Sequence, residues 1–375
     1  MILFGQAIRS QQIFSYGFSL FLLIIIVLNN ESYNASATTG PRIFYHITRY
    51  NSLLCKKERA ASIIYVSILQ EDRRDSTDMN IENRPASPGY LYVVFAAVLW
   101  ASSGSAAKYL FQKGLSPFQL VQLRASISAA ILFLWLLTYR RSLLKIKKKD
   151  LADLFLLGIA LAATQFTYLF SISRINVATA ILLQYQAPVL IAGHALFFRH
   201  RRLSPFTLAA LVGSVAGCYF MVGAYNQDIL SLNRQGIIAG LASALAFAIY
   251  SVKSEFCTRS NTPWTVVFYA LLAAALIWNT LEPPLSAFTA IYGSVSWWWI
   301  FYICVFGTIL PYGLYNEGIR LILPTRAGIT ATLEPVVAGA ISFFFLGEIM
   351  EVLQVIGAGL VIASILLLQA RKDPC

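Results

Sequence analysis

The chain has 375 residues, 58% hydrophobic and only 12% charged, with a formal net charge of +12. A soluble domain carries about 25% charged residues, so this composition excludes an ordinary soluble enzyme. The basic residues cluster in short segments between apolar runs, a pattern of membrane topology and not of nucleic-acid binding.

Residues 1–85 differ from the rest. Ile13–Leu28 is apolar and follows Arg9, so it resembles a signal sequence or one extra span. Polar sequence follows, and Met79 then opens MNIENRPASPGY, a short lead into the first strong span. Two readings stand for this N-terminal extension. Either Met79 is the physiological start and residues 1–78 are absent from the mature protein, or the extension is a genuine additional anchor. Mass spectrometry of the intact N-terminus separates them.

From Tyr90 to Leu368, apolar runs of about 20 residues recur, each long enough to cross ~30 Å of hydrocarbon as a helix. A β-barrel would show shorter alternating segments. The runs predict ten transmembrane helices, at 90–111, 117–138, 151–172, 177–198, 205–223, 235–255, 263–281, 297–316, 324–346 and 351–370. The fold class is therefore an all-α integral membrane protein. Lys and Arg set its orientation. Arg140, Arg141, Lys145, Lys147, Lys148 and Lys149 follow span 2; Arg199, Arg201 and Arg202 follow span 4. Arg259, Arg320 and Arg371-Lys372 fall on the same side, against Lys113, Arg174 and Arg234 on the other. Both ends of the core are then cytoplasmic, in a multi-pass protein of the cell membrane.

An internal repeat organises these spans. Ala187-Pro188-Val189 in span 4 and Glu334-Pro335-Val336 in span 9 are 147 positions apart. At that offset Trp100 also meets Phe247, and Ala216 meets Ala363. Residues 88–223 and 235–370 thus read as two five-helix copies. Five is odd, so the second copy runs inverted, an arrangement that places a substrate site near the midplane where helices are broken.

Glu334 is the sharpest candidate, since a carboxylate at membrane depth costs about 2.5–3.5 kcal/mol on insertion scales. It serves proton coupling or a substrate amine, or it is held by backbone groups that Pro335 frees. Lys108 either snorkels to the headgroups or faces the cavity, where with Arg124 it would make a cationic patch for a carboxylate or phosphate. Gln184 and Tyr185 sit one turn before Pro188, whose missing N–H frees the Gln184 carbonyl; they read as substrate contacts or as interhelical hydrogen bonds. Trp100 is a cavity wall or stacks on a substrate ring. Pro311 frees the Gly307 carbonyl and predicts a kink in span 8. Trp297-Trp298-Trp299 suit an interfacial belt. Neither the scattered Cys55, Cys218, Cys257, Cys304 and Cys375 nor His46, His194 and His200 make a metal-ligand pattern. No G-x-x-x-x-G-K-[ST] occurs, so neither a cofactor nor ATP is expected.

The sequence resembles the EamA-like branch of the drug/metabolite transporter superfamily over residues 88–370. LWASSGSAAKYL in span 1, Arg124, INVATAILLQYQAPVL in span 4, ATLEPVVAGAISFFFLGE in span 9 and IGAGLVIASILLL in span 10 carry the resemblance. One departure is His200-Arg201 after span 4, where family members often carry a Gly-Glu turn like Gly347-Glu348 after span 9; Glu348 thereby reads as a loop or cap residue. The resemblance implies a secondary carrier that moves small metabolites, often outward, by alternating access; the expected motion is a rocking of the two five-helix halves about a central cavity walled by spans 1, 2, 4, 6 and 9. Its partners would be an amino-acid-like or drug-like substrate, a proton as the coupling ion where one is used, and the bilayer. The working unit is a monomer or homodimer. A nucleotide-sugar or phosphorylated-metabolite carrier is the alternative within transport. A membrane-embedded enzyme would need a clustered acid/base or metal set, which the sequence does not offer.

Overall fold

Three membrane-crossing helices start on a hydroxyl residue followed by proline: Ser116-Pro117, Ser204-Pro205 and Thr262-Pro263. In each, the side-chain oxygen accepts a hydrogen bond from a backbone N–H of the first turn. Proline there occupies a position whose N–H lacks a helical partner in any case. Ser116 adds the reciprocal bond, its N–H donating to Gln119 Oε1 at 2.9 Å.

The structure, a computed structural model, describes residues 87–226, 233–289, 293–346 and 350–370. The N-terminal extension with its apolar stretch at 13–28, the start at Met79, Gly347-Glu348 and Arg371-Lys372 all lie outside the described residues. The helices are α1 Ser87–Gln112, α2 Pro117–Tyr139, α3 Leu151–Arg174, α4 Val177–Gln184, α5 Ala187–Phe197 and α6 Pro205–Met221, then α7 Arg234–Ser260, α8 Pro263–Leu281, α9 Ser294–Cys304, α10 Leu310–Ala331, α11 Leu333–Leu346 and α12 Val352–Ala370. A π-helical turn, Val305–Ile309, joins α9 to α10. Inside α10 the chain reverses at Leu323, which has φ 67° and ψ 159°. The extended ψ is what a residue before proline prefers; the positive φ is the strained part. With α4 and α5 as one broken crossing, and α10 divided at Leu323 between two, the described residues make ten crossings, all of them helical.

Two helices extend past their expected ends for an electrostatic reason. α7 reaches Ser260 because Arg259 pairs with Glu255 one turn back at 3.0 Å, and Arg201 approaches the same carboxylate at 3.4 Å. The first part of α10 passes residue 316 because Arg320 pairs with Glu317 at 2.7 Å. Such pairs carry a helix beyond the apolar layer.

The outer surface is apolar. Leu91, Phe95 and Val98 of α1 face outward at i, i+4, i+7, a stripe that suits lipid. α12 presents Val352, Val355, Ile356, Ile362 and Leu366 in the same way.

The two copies interleave. α1 packs on α10 and α11 of the second copy, and α7 packs on α3, α4 and α5 of the first; α2 lies against α8, and α6 against α12. Each contact has its two-fold mate, as inverted repeats require. Small residues allow the approach: a Cβ on Gly318 would fall 2.3 Å from Val93 Cγ2, and one on Gly240 would fall 2.7 Å from Leu183 Cδ1. The sequence suggested that the two five-helix halves rock as bodies. The packing groups the crossings differently, because α1 and α7 each bury much of their surface in the opposite copy.

Candidate functional site

The site begins with two helix breaks. α4 ends at Gln184 and α5 starts at Ala187-Pro188; α10 ends at Ala331 and α11 starts at Leu333 with Pro335 in its first turn. The residues in the breaks, Tyr185 and Thr332, are 147 apart. Pro188 and Pro335 therefore start new helices, where a missing N–H is harmless, instead of interrupting old ones.

The breaks meet through one hydrogen bond. Tyr185 Oη donates to Glu334 Oε2 at 2.6 Å, with both side chains buried. A bond to a charged acceptor is worth about 1.5–3 kcal/mol. Glu334 also sits in the first turn of α11, where the positive end of the helix dipole favours a carboxylate. These two contacts are how an acid is accommodated at membrane depth.

The third proline builds the opposite charge into the same site. Pro311 has no N–H for the Gly307 carbonyl, and the chain answers with the π-helical turn at Val305–Ile309. Arg124 of α2 fills the gap: Nη2 donates to the Gly307 carbonyl at 2.7 Å and Nε to Thr308 Oγ1 at 2.5 Å. Ser128, one turn further along α2, donates to the Cys304 carbonyl at 3.1 Å. Arg124 is 5% exposed and is held on one side by a backbone that proline has opened.

Arg124 and Glu334 both line a central cavity between α1, α2, α3, α4, α7, α10 and α11. No direct ion pair joins them among the described residues. Trp100, Phe247 and Tyr312 make an aromatic wall, Trp100 meeting Phe247 at 5.9 Å and Tyr312 at 5.2 Å between ring centroids, both edge-on. Ser103, Thr164, Gln165, Tyr168 and Gln184 supply the remaining polar lining. The cavity is narrow, about 20 Å³, which is room for one water or two.

The structure thus brings four of the sequence candidates, Trp100, Arg124, Gln184 and Glu334, to one cavity, and ties Tyr185 to it through Glu334. Gln184 also accepts a hydrogen bond from Ser243 of α7 at 3.2 Å. Lys108 is not brought there: its Nζ donates to the Ile172 and Ile175 carbonyls at 2.6 and 3.1 Å, at the C-terminal end of α3. His194 stacks on Phe198 at 5.5 Å. Sequence reading missed Thr164, Gln165, Tyr168 and Tyr312. A signal was present: Gln165 and Tyr168 are polar residues three apart in an apolar span, and at the 147 offset they meet Tyr312 and Tyr315.

Comparison with known proteins places this geometry. The EamA-like transporter family model matches residues 87–223 and 234–369. The inner membrane transporter YicL of Salmonella typhimurium is 29% identical over 284 residues, covering 75% of this chain and 94% of that protein. The threonine/homoserine exporter RhtA of Escherichia coli K12 is 28% identical over 287 residues, covering 74% and 90%. A solved crystal structure aligns with a TM-score of 0.61 at 20% identity, over 75% of this chain and 96% of that one, which speaks to the fold. Two copies of the matched domain, two broken helices meeting at a buried charge, and an apolar exterior lead to one conclusion: the chain is a multi-pass membrane transporter that belongs to the EamA-like transporter family.

Proposed function

We propose that the protein is a secondary carrier that exports or exchanges small amino-acid-like metabolites by alternating access. The observation that carries this reading is one guanidinium and one carboxylate facing the same cavity without a direct ion pair between them. A zwitterion satisfies both: its carboxylate meets Arg124 and its ammonium meets Glu334. A phosphorylated metabolite fits less well, because Arg124 is already partly engaged and Glu334 would repel a dianion. RhtA, a relative by sequence, is named for threonine and homoserine export.

In this reading the moving bodies are the interleaved groups, α1 with α10 and α11, and α7 with α3, α4 and α5. The cavity opens to one side at a time as these groups tilt. Glu334 holds a proton or the substrate ammonium, not both, which would couple export to proton entry. The basic loops after spans 2 and 4 face the cytoplasm of the cell membrane, with both core ends on that side. One chain forms the whole cavity, so a monomer suffices.

The test is counterflow with the full chain in proteoliposomes loaded with unlabelled threonine. Labelled threonine should accumulate transiently above its equilibrium level, and labelled glucose 6-phosphate should not. Accumulation of the sugar phosphate without any amino acid would overturn the reading.

A further inference from the structure

Two glutamines buried in this protein are treated in opposite ways. Gln122 of α2 is fully engaged. Its Nε2 donates to Asn279 Oδ1 at 3.2 Å and to the Pro283 carbonyl at 3.0 Å. Its Oε1 accepts from the Ala287 N–H at 2.9 Å. Gln165 of α3, equally buried at 1% exposed, makes no well-formed hydrogen bond from either amide atom among the described residues, its one approach being a loose one to the Tyr312 phenol. One turn along the same helix, the Tyr168 hydroxyl is also buried without a partner among the described residues. Buried polar atoms are nearly always hydrogen-bonded, so adjacent exceptions call for an explanation.

Their place supplies one. Gln165 and Tyr168 line the cavity that Arg124 and Glu334 share. The two charges account for the two ends of a zwitterion, and they leave an amide and a phenol over. An amide offers a donor and an acceptor, and a phenol offers both as well. A hydroxyl or a carboxamide on the substrate's side chain answers that set, and an aliphatic side chain leaves it unanswered.

We propose that Gln165 and Tyr168 form a specificity-determining subsite that reads a hydrogen-bonding, uncharged group on the side chain of the transported molecule. The proposal rests on the zwitterion reading of Arg124 and Glu334 and adds a third point of recognition to it. Trp100, Phe247 and Tyr312 close the cavity around that point and limit the side chain to a small one. Discrimination of this kind is strong, because the wrong substrate strands buried polar groups that the right one satisfies. A structural role predicts instead that Gln165 holds a single water, for which the cavity has room.

Threonine and valine separate these roles, being nearly equal in shape and differing by a hydroxyl for a methyl group. In proteoliposome counterflow, the unmodified chain should favour threonine over valine by more than about tenfold. Gln165→Leu should bring that ratio close to one, and Tyr168→Phe should reduce it by a smaller factor. The readout is a ratio within one preparation, so the amount of folded protein cancels. If Gln165→Leu is not monodisperse on size exclusion, Tyr168→Phe carries the test. Equal exchange of the two amino acids by the unmodified chain overturns the subsite, as does an unchanged ratio in the folded variants. Absence of exchange of any amino acid by the unmodified chain is a different result: it overturns the zwitterion reading, and the subsite falls with it.

Discussion

The two copies of the repeat share a scaffold and differ in charge. Both break their fourth helix one turn from a proline, at Tyr185 in the first copy and at Thr332 in the second. The first copy follows its break with Ala187, fully buried and neutral; the second has Glu334 at the equivalent position. Arg124 reverses the asymmetry. Its mate in the second copy is Ala270 or Leu271, depending on whether the capped prolines or the span-4 and span-9 prolines set the alignment, and both are fully buried. Each copy thus contributes one charge that the other lacks. In the proposed mechanism, symmetry would give the carrier two equivalent ways to open, and asymmetry would give a zwitterion one direction in which to lie.

Making the second copy like the first should have the largest effect. Glu334→Ala removes the proposed contact for an ammonium and should lower threonine counterflow by about a hundredfold, a transition-state loss near 2.7 kcal/mol. Insertion and folding should survive, since a buried carboxylate is costly and alanine is what the first copy carries. Adding Ala187→Glu to that variant should not restore transport, because Arg124 has no mate from which the mirrored orientation could be built. Restoration would show that either break can host the acid and would break the comparison. Glu334→Gln should keep the Tyr185 contact yet flatten the pH profile. In the unmodified chain, binding should weaken as pH falls, because a protonated carboxyl cannot pair with an ammonium.

Making the first copy like the second comes next. Arg124→Leu should lower counterflow at least tenfold. It should also destabilise the folded protein, because the Gly307 carbonyl is left buried without a donor at a cost of about 1–3 kcal/mol. Arg124→Lys should recover part of the stability and little of the transport, since an ammonium cannot span Gly307 and Thr308 as the guanidinium fork does. Thermal melting in detergent and counterflow, read together, check both halves. A melting temperature unchanged in Arg124→Leu would mean that the π-helical turn stands without it.

Much of this was legible beforehand, and the reasons are physical. Apolar run length and an odd repeat dictate the crossings and the inversion. The rule that proline frees the carbonyl four residues back pointed at Gly307, and Arg124 is what the carbonyl found. The π-helical turn itself was not legible, because a kink and a widened turn are equivalent answers to the same missing N–H. Nor was the bond between Tyr185 and Glu334, since partners 149 positions apart meet only once both breaks are placed in space. Gln165 was passed over because a single amide in an apolar span looks like any interhelical hydrogen bond until its missing partners are seen. The interleaved packing was not legible for a related reason: chain order divides the copies, and burial of α1 and α7 does not respect that division.

A third cation tests whether charge in the first copy is always for the substrate. The sequence allowed Lys108 to join Arg124 in an anionic patch, whereas its Nζ caps the C-terminal carbonyls of α3. A cation there is worth about 0.3–1 kcal/mol from the helix dipole, more when partly buried. Lys108→Ala should therefore lower the melting temperature modestly and leave the threonine-to-valine ratio as it was. A changed ratio would return Lys108 to the site.

The smallest effect concerns the turn that closes the broken crossing of the first copy. At the 147 offset from Gly347, the first copy has His200, with φ 49°. That is the left-handed region which glycine enters freely and a side chain enters at a cost. The backbone holds it there: the Arg201 N–H returns to the Ala195 carbonyl at 2.9 Å, closing the end of α5 around this residue. His200 is exposed, so its ring adds no burial to offset the strain. His200→Gly should then stabilise the protein by about 0.5–1 kcal/mol, the gain being partly cancelled by the greater freedom of glycine in the unfolded chain. A rise in melting temperature with unchanged counterflow would mean that this turn accepts the glycine that the second copy carries in sequence at the equivalent position. A fall would mean that the imidazole makes a contact the first copy needs, one that Gly347 of the second copy has no side chain to make.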